Sequence, residues 1–161
     1  MMRAMLELVG GYGLAALFVV CFCASTLLPL GSEWLLVVML LEGSHSPAAV
    51  VAIATLGNTL GSVTSYLIGR WGSDWLTLKL LRINMQQQQQ AESWFNRFGS
   101  WGLLLAWLPV IGDPLCLVSG ALKTPPGRFL LLVASGKGLR YLGIALLTLQ
   151  GTDLLTWTAP L

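Results

Sequence analysis

The sequence predicts an all-α integral membrane protein. It reads as an inverted repeat in which each half is a re-entrant hairpin followed by a transmembrane helix, with a surface amphipathic linker between the halves. Three observations lead there: a charge-poor composition, four long apolar stretches, and two proline elbows that match each other across the chain. Of the 161 residues, 55% are hydrophobic and 10% charged, and the mean hydropathy is +0.74. A soluble domain carries about 25% charged residues. With so few, this chain has no means of coating a globule with polar groups, and lipid takes the place of water around most of it. The net charge of +2 is too small to point to nucleic acid. Cys21, Cys23 and Cys116 lie inside apolar runs without metal-ligand spacing. They read as small core hydrophobes, and the sequence calls for neither a metal nor a cofactor.

The first apolar stretch runs from Leu8 to Ser32 and resumes over Trp34–Leu41. It is too long for the ~7–15-residue apolar core of a signal peptide. A cut after Ala24 would also place the bulky Phe22 where a small residue is needed, so the segment is expected to stay in the mature protein. Pro29-Leu30-Gly31-Ser32-Glu33 interrupts it. The remaining Trp34–Leu41 would rise only ~12 Å as a helix, against a ~30 Å hydrocarbon layer. Pro47–Gly69 fits a single crossing. Arg70–Phe98 is polar, and Trp75, Leu76, Leu78, Leu80, Leu81 and Ile83 make its first part fit to rest on a membrane surface. Gly99–Leu122 is broken at Pro109-Val110-Ile111-Gly112-Asp113-Pro114, and Phe129–Gly151 fits a second single crossing. Short arms on either side of such an elbow suggest a hairpin that dips to the midplane and returns. The whole chain, residues 1–161, is then one membrane domain: a first repeat over 8–69, a cytoplasmic linker over 70–98, and a second repeat over 99–151.

The two elbows agree in detail. Glu33 follows Pro29 by four residues, and Asp113 follows Pro109 at the same offset. Gly57 and Gly136 stand 28 and 27 residues beyond those prolines. Paired, broken apolar segments in two related halves are a transporter-like pattern. Arg70, Lys79, Arg82, Arg97, Lys123 and Arg128 would share the cytoplasmic side, while Glu42–Ser46 has no Lys or Arg and suits the outside. Hairpins entering from opposite faces would bring Glu33 and Asp113 near each other. The arm before Pro29 is far longer than that before Pro109, so Leu8–Leu28 is alternatively an ordinary crossing.

Glu33, Asp113, Lys137 and Arg140 sit inside apolar stretches. Each would cost about 2.5–3.5 kcal/mol at the bilayer centre on insertion scales, so all should face a polar interior or one another. Two readings stay open: a hydrophilic cavity that binds ions or a lipid headgroup, with the acids open to protonation, or acid–base pairs that lock the fold. Gly57, Gly61, Ser65 and Gly69 form a small-residue stripe that lets another helix approach, and Asn58 beside it is the polar residue best placed to line a cavity. Arg70, at a segment end, reads as snorkelling. Pro29, Gly31, Pro109, Gly112 and Pro114 shape the elbows. The chain has no nucleophile elbow, no phosphate loop, and His45 as its one histidine, so an enzyme is not expected.

Leu28-Pro29-Leu30-Gly31-Ser32-Glu33, then Gly57 through Arg70 with its G-x-x-x-x-Y-x-x-G-R spacing from Gly61, resembles the DedA family of membrane proteins (the SNARE-associated or VTT domain). Trp107-Leu108-Pro109-Val110-Ile111-Gly112-Asp113-Pro114 through Ser119-Gly120 is similar to the family's second signature. The Gly112-Asp113 elbow and Gly136-Lys137-Gly138-Leu139-Arg140-Tyr141 resemble its short YqaA branch most closely. The resemblance spans roughly residues 15–150. It implies facing re-entrant hairpins and movement of membrane lipids, including lipid phosphates, with a link to the proton-motive force. It also implies that Glu33 is the essential acid of the first hairpin. The sequence departs from the family pattern at Ser62, where many members have Asp, and at Ala106 and Gly112, where they have arginines. Lys137 or Arg140 would have to supply that positive charge. The resulting expectation is a multi-pass bacterial inner-membrane transporter or scramblase for lipid or a small anion, with membrane lipids and protons as partners and a homo-oligomer left open. A non-transporting scaffold and a proton-coupled carrier of a soluble solute are the alternatives.

Overall fold

A computed structural model describes residues 2–25, 32–72, 85–108 and 111–157. Every element among them is helical: α1 (Met2–Ala24), α2 (Glu33–Glu42), α3 (Pro47–Trp71), α4 (Met85–Phe98), a 3-10 helix (Gly99–Trp107), α5 (Gly112–Ala121) and α6 (Pro126–Trp157). The elbow residues Pro29, Gly31 and Pro109 lie outside the described residues. So do Lys79, Arg82 and the amphipathic face from Trp75 to Ile83. The glutamine run Gln86–Gln90 belongs to α4.

Local chemistry sets the ends of these helices. Ser46 caps α3 by accepting from the Ala49 backbone N–H at 3.4 Å, and Pro47 occupies the first helical position, where its missing donor costs nothing. Gly43 takes the left-handed conformation that ends α2. α5 ends in a Schellman motif, with the Thr124 N–H bonded to the Ser119 carbonyl at 3.0 Å and Lys123 held at a φ of 54°.

Pro47–Trp71 and the Pro126–Gly151 part of α6 are long and apolar enough to cross a membrane. α3 wears its polarity inside out. Gly57, Asn58, Gly61, Ser62 and Ser65 are buried, while Leu56, Leu60 and Leu67 are exposed. Water would favour the reverse; lipid favours this one. Two of its hydroxyls bond back onto the helix, Thr55 donating to the Val51 carbonyl at 2.7 Å and Ser62 to the Asn58 carbonyl at 3.2 Å, while the buried Thr59 hydroxyl has no hydrogen-bond partner.

α3 packs most extensively on α5 and α1. Its glycine stripe serves both partners. A Cβ on Gly57 would meet the Phe18 carbonyl of α1 at 2.6 Å, and one on Gly69 would meet the Leu117 carbonyl of α5 at 2.0 Å. Two apolar clusters result. One joins Leu17, Leu36, Met39, Val50, Ala54 and Ala145; the other joins Tyr66, Leu103, Leu115, Phe129 and Val133. Along α3 the order is Val50, Ala54, then Tyr66; along α6 it is Phe129, Val133, then Ala145. The two long helices therefore run antiparallel. Asn58 and Ser62 on one, and Lys137 on the other, fall in the layer between the clusters.

The helices that precede the two elbows differ in length. The 23-residue α1 precedes the first elbow, whereas a nine-residue 3-10 helix precedes the second. At ~1.5 Å per residue α1 is about 35 Å long. Arg70 is also tied to its neighbours. Its Nη1 donates to the Tyr66 hydroxyl at 2.8 Å, and that hydroxyl donates to the Thr124 carbonyl at 2.6 Å, tying the end of α3 to the start of α6. Tyr66 stands one turn before Arg70, within reach of the guanidinium.

Candidate functional site

Lys137 is the most deeply buried charge among the described residues, at 4% exposure. A Cβ on Gly136 would meet the Leu104 carbonyl at 2.6 Å, so the glycine lets α6 press close to the 3-10 helix beside the lysine. The ammonium donates to Ser25 Oγ at 2.8 Å, to the Asn58 backbone carbonyl at 3.2 Å, and to Asn58 Oδ1 and Ser62 Oγ. Asp113 Oδ1 lies 3.8 Å away and also accepts from Ser25 Oγ at 3.3 Å. Ser25 and Ser62 hydroxyls pair at 3.0 Å. Three ammonium hydrogens thus meet four neutral acceptors and a carboxylate, drawn from the end of α1, the middle of α3 and the first turn of α5. A buried ammonium persists only with such complete satisfaction.

Asn58 extends the network. While its Oδ1 accepts from Lys137, its Nδ2 donates to the Tyr141 hydroxyl at 2.5 Å. That hydroxyl also shares a 2.6 Å hydrogen bond with Ser32 Oγ and approaches Cys21 Sγ at 3.8 Å. One position back on α6, Arg140 Nη2 forms an ion pair with Glu33 Oε1, and its Nη1 donates to the Trp107 carbonyl at 2.7 Å. These two side chains are about a quarter exposed, close to Asp113 at 31% and unlike Lys137 itself. Ser32 and Glu33, at the start of α2, therefore fasten to Tyr141 and Arg140, neighbours on α6.

The structure brings all five sequence-selected polar residues onto one strip of α6 and the elements facing it. Glu33 and Asp113 do not share a site as a pair; each acid takes its own base, one turn apart on α6. With two acids and two bases the strip has no net charge. Gly112 and Pro114 are buried in the first turn of α5, where a Cβ on Gly112 would meet the Ala106 carbonyl at 2.1 Å. Ser25, Ser32, Tyr141 and the Trp107 carbonyl join the network although the sequence did not single them out. Their one signal is position: Ser32 and Tyr141 adjoin Glu33 and Arg140 in the chain. Among the described residues no group of three His, Cys, Asp or Glu side chains is arranged to hold a metal ion.

Comparison with known proteins bears on this arrangement. A family model described as the VTT domain matches residues 28–150. The chain is 41% identical over 138 residues to the inner membrane protein YqaA of Escherichia coli (strain K12), covering 86% of this chain and 92% of that one. The inner membrane protein YqaA of Shigella flexneri matches to the same extent. An uncharacterized protein of Haemophilus influenzae is 34% identical over 142 residues, covering 84% of this chain and 87% of its own. No solved structure matches.

Proposed function

This chain belongs to the VTT-domain family, the DedA family of membrane proteins, and from that premise we propose that it is an inner-membrane transporter or scramblase for lipids or small anions. The observation that carries the reading is the polar strip of α6. Lys137 and Arg140 flank the midpoint of the apolar span Pro126–Gly151, and Asn58 and Ser62 flank that of Pro47–Trp71. Polar and charged groups gathered at the middle of crossing helices are where transporters hold their cargo.

On this reading the halves 8–69 and 99–151 form an inverted repeat joined by a cytoplasmic linker. α2 and α5, ten residues each, are the returning arms of re-entrant hairpins, and both carry an acid in their first turn. Because the strip is neutral when both pairs are closed, an anion can engage a base only when an acid releases it. Protonation of Glu33 frees Arg140, and protonation of Asp113 frees Lys137. Transport is thereby coupled to protons through the same residues that hold the helices together. The name of the bacterial relative supports the inner membrane as the location.

The test is a lipid-flip assay on purified protein in vesicles, with and without a pH gradient. Glu33→Gln and Lys137→Ala are expected to remove transport while the protein stays inserted and folded. Normal lipid movement by both variants would remove these residues from the mechanism. The saturation of Lys137 by five oxygens favours a second reading, a scaffold whose buried charges fix helix packing. It predicts instead that the single variants are degraded and that exchanging the members of a pair restores the protein.

A further inference from the structure

The oxygens around the Lys137 ammonium outnumber its hydrogens. Three N–H bonds face Ser25 Oγ, Ser62 Oγ, the Asn58 carbonyl and Asn58 Oδ1, with Asp113 Oδ1 3.8 Å away. Each neutral side chain is turned so that it offers a lone pair inward. Ser25 sends its hydrogen to Asp113 at 3.3 Å, and Ser62 sends its own to the Asn58 carbonyl at 3.2 Å. Asn58 Nδ2 is held outward by the Tyr141 hydroxyl at 2.5 Å. Outer partners of this kind orient the ligands of a metal ion. Neighbouring oxygens are 3.0 Å apart between Ser25 and Ser62, and 3.3 Å between Ser25 and Asp113. Ligands at the ~2.4 Å typical of calcium, an ion of almost the radius of sodium, stand about 3.4 Å apart along the edge of an octahedron. The cage is open on one side, for the Asp113 side chain is 31% exposed against 5% for Lys137.

We propose that these five oxygens form a sodium-type monovalent-cation site, and that Lys137 fills it with a tethered ammonium in place of the metal ion. Charge sets the class of ion. One carboxylate neutralises one positive charge, whereas a divalent ion would leave a net charge among apolar helices. An all-oxygen shell suits a hard cation rather than a transition metal. An ammonium directs three hydrogens at chosen oxygens, while a spherical ion engages all five at once. With the lysine in the cage the cation is a fixed part of α6, and the chain needs no dissolved ion to close its helices around Asp113. Where the ammonium is removed, the same oxygens bind a small cation from solution. The proposal is independent of what the protein moves and holds for a transporter and a scaffold alike.

Thermal unfolding of the full chain in detergent tests this in sodium, calcium, methylammonium and choline chlorides at equal ionic strength. The wild type is expected to melt at the same temperature in sodium and choline. Lys137→Ala should melt lower than the wild type in choline. Its melting temperature should then rise by about 3–5 °C for each tenfold increase in Na+ beyond the dissociation constant, as mass action requires. Methylammonium, the head of the lysine without its tether, should raise it as well. Lys137→Ala combined with Asp113→Asn lacks both charges and should ignore Na+. Equal melting of Lys137→Ala in sodium and choline overturns the site. So does a Lys137→Ala protein that folds in none of these salts while the double variant folds. Stabilisation by Ca2+ ahead of Na+ overturns the monovalent assignment, and rescue by methylammonium alone overturns the metal one. A sodium response of the same size in the double variant places the ion elsewhere and overturns the proposal.

Discussion

Gly120 of α5 lies against the carbonyl oxygen of Tyr66 on α3, so that a Cβ on the glycine would come within 2.0 Å of that atom. Gly69 repeats the contact in the opposite sense, against the carbonyl of Leu117. Backbone touches backbone at both points, and no side-chain movement can make room. Gly120→Ala is therefore expected to cost at least ~1–3 kcal/mol, the range for overpacking a tight site. Gly143→Ala should be neutral or stabilising by up to ~1 kcal/mol, since it adds helix propensity in open space. Thermal unfolding in detergent checks both, and equal melting temperatures for the two variants would contradict the crossing described here.

Breaking the Lys137–Asp113 pair on one side leaves a buried charge without its counterion. Asp113→Asn, which strips the deeply buried Lys137 of its counterion, is expected to destabilise by about 3–5 kcal/mol, and Asp113→Asn combined with Lys137→Met by less than the sum of the two single changes. A double-mutant cycle on detergent-solubilised protein measures the coupling. Additive effects would mean that the two residues do not sense each other.

Tyr141→Phe keeps the ring in its apolar cluster and removes only the hydroxyl. Asn58 Nδ2 and Ser32 Oγ then lose a partner in a dry site, at a cost of about 1–3 kcal/mol. A larger loss of transport than of stability, measured on the same sample, would assign the hydroxyl a part in the mechanism as well as in packing.

Lys123 occupies a left-handed position that favours glycine. Lys123→Gly is expected to relieve about 1 kcal/mol of backbone strain and raise the melting temperature. A lower melting temperature would show that the lysine side chain contributes more at that corner than its backbone costs.

Much of this arrangement is legible in the sequence because a charge inside an apolar run is expensive and therefore conspicuous. Glu33, Asp113, Lys137 and Arg140 stand out on that ground alone, and the glycine spacing of α3 announces close helix contact. The pairing is not legible. Symmetry between the elbows suggests acid facing acid, whereas the structure gives each acid a base on α6, which passes both. Neutral partners such as Ser25 and the Trp107 carbonyl carry no sequence signal, since a hydroxyl or carbonyl in an apolar segment is ordinary until something charged is placed beside it. The unequal first arms follow from length: the uncharged run before Pro29 is long enough for a full rod, and the one before Pro109 is not.

The partners that hold Lys137 come from α1, α3 and α5, all made before α6. Assembly therefore has a fixed last step. Until α6 is in place, Asp113 and Glu33 have no cation from that helix. A chain stopped short of residue 137 lacks both Lys137 and Arg140 and leaves two acids without the bases that neutralise them.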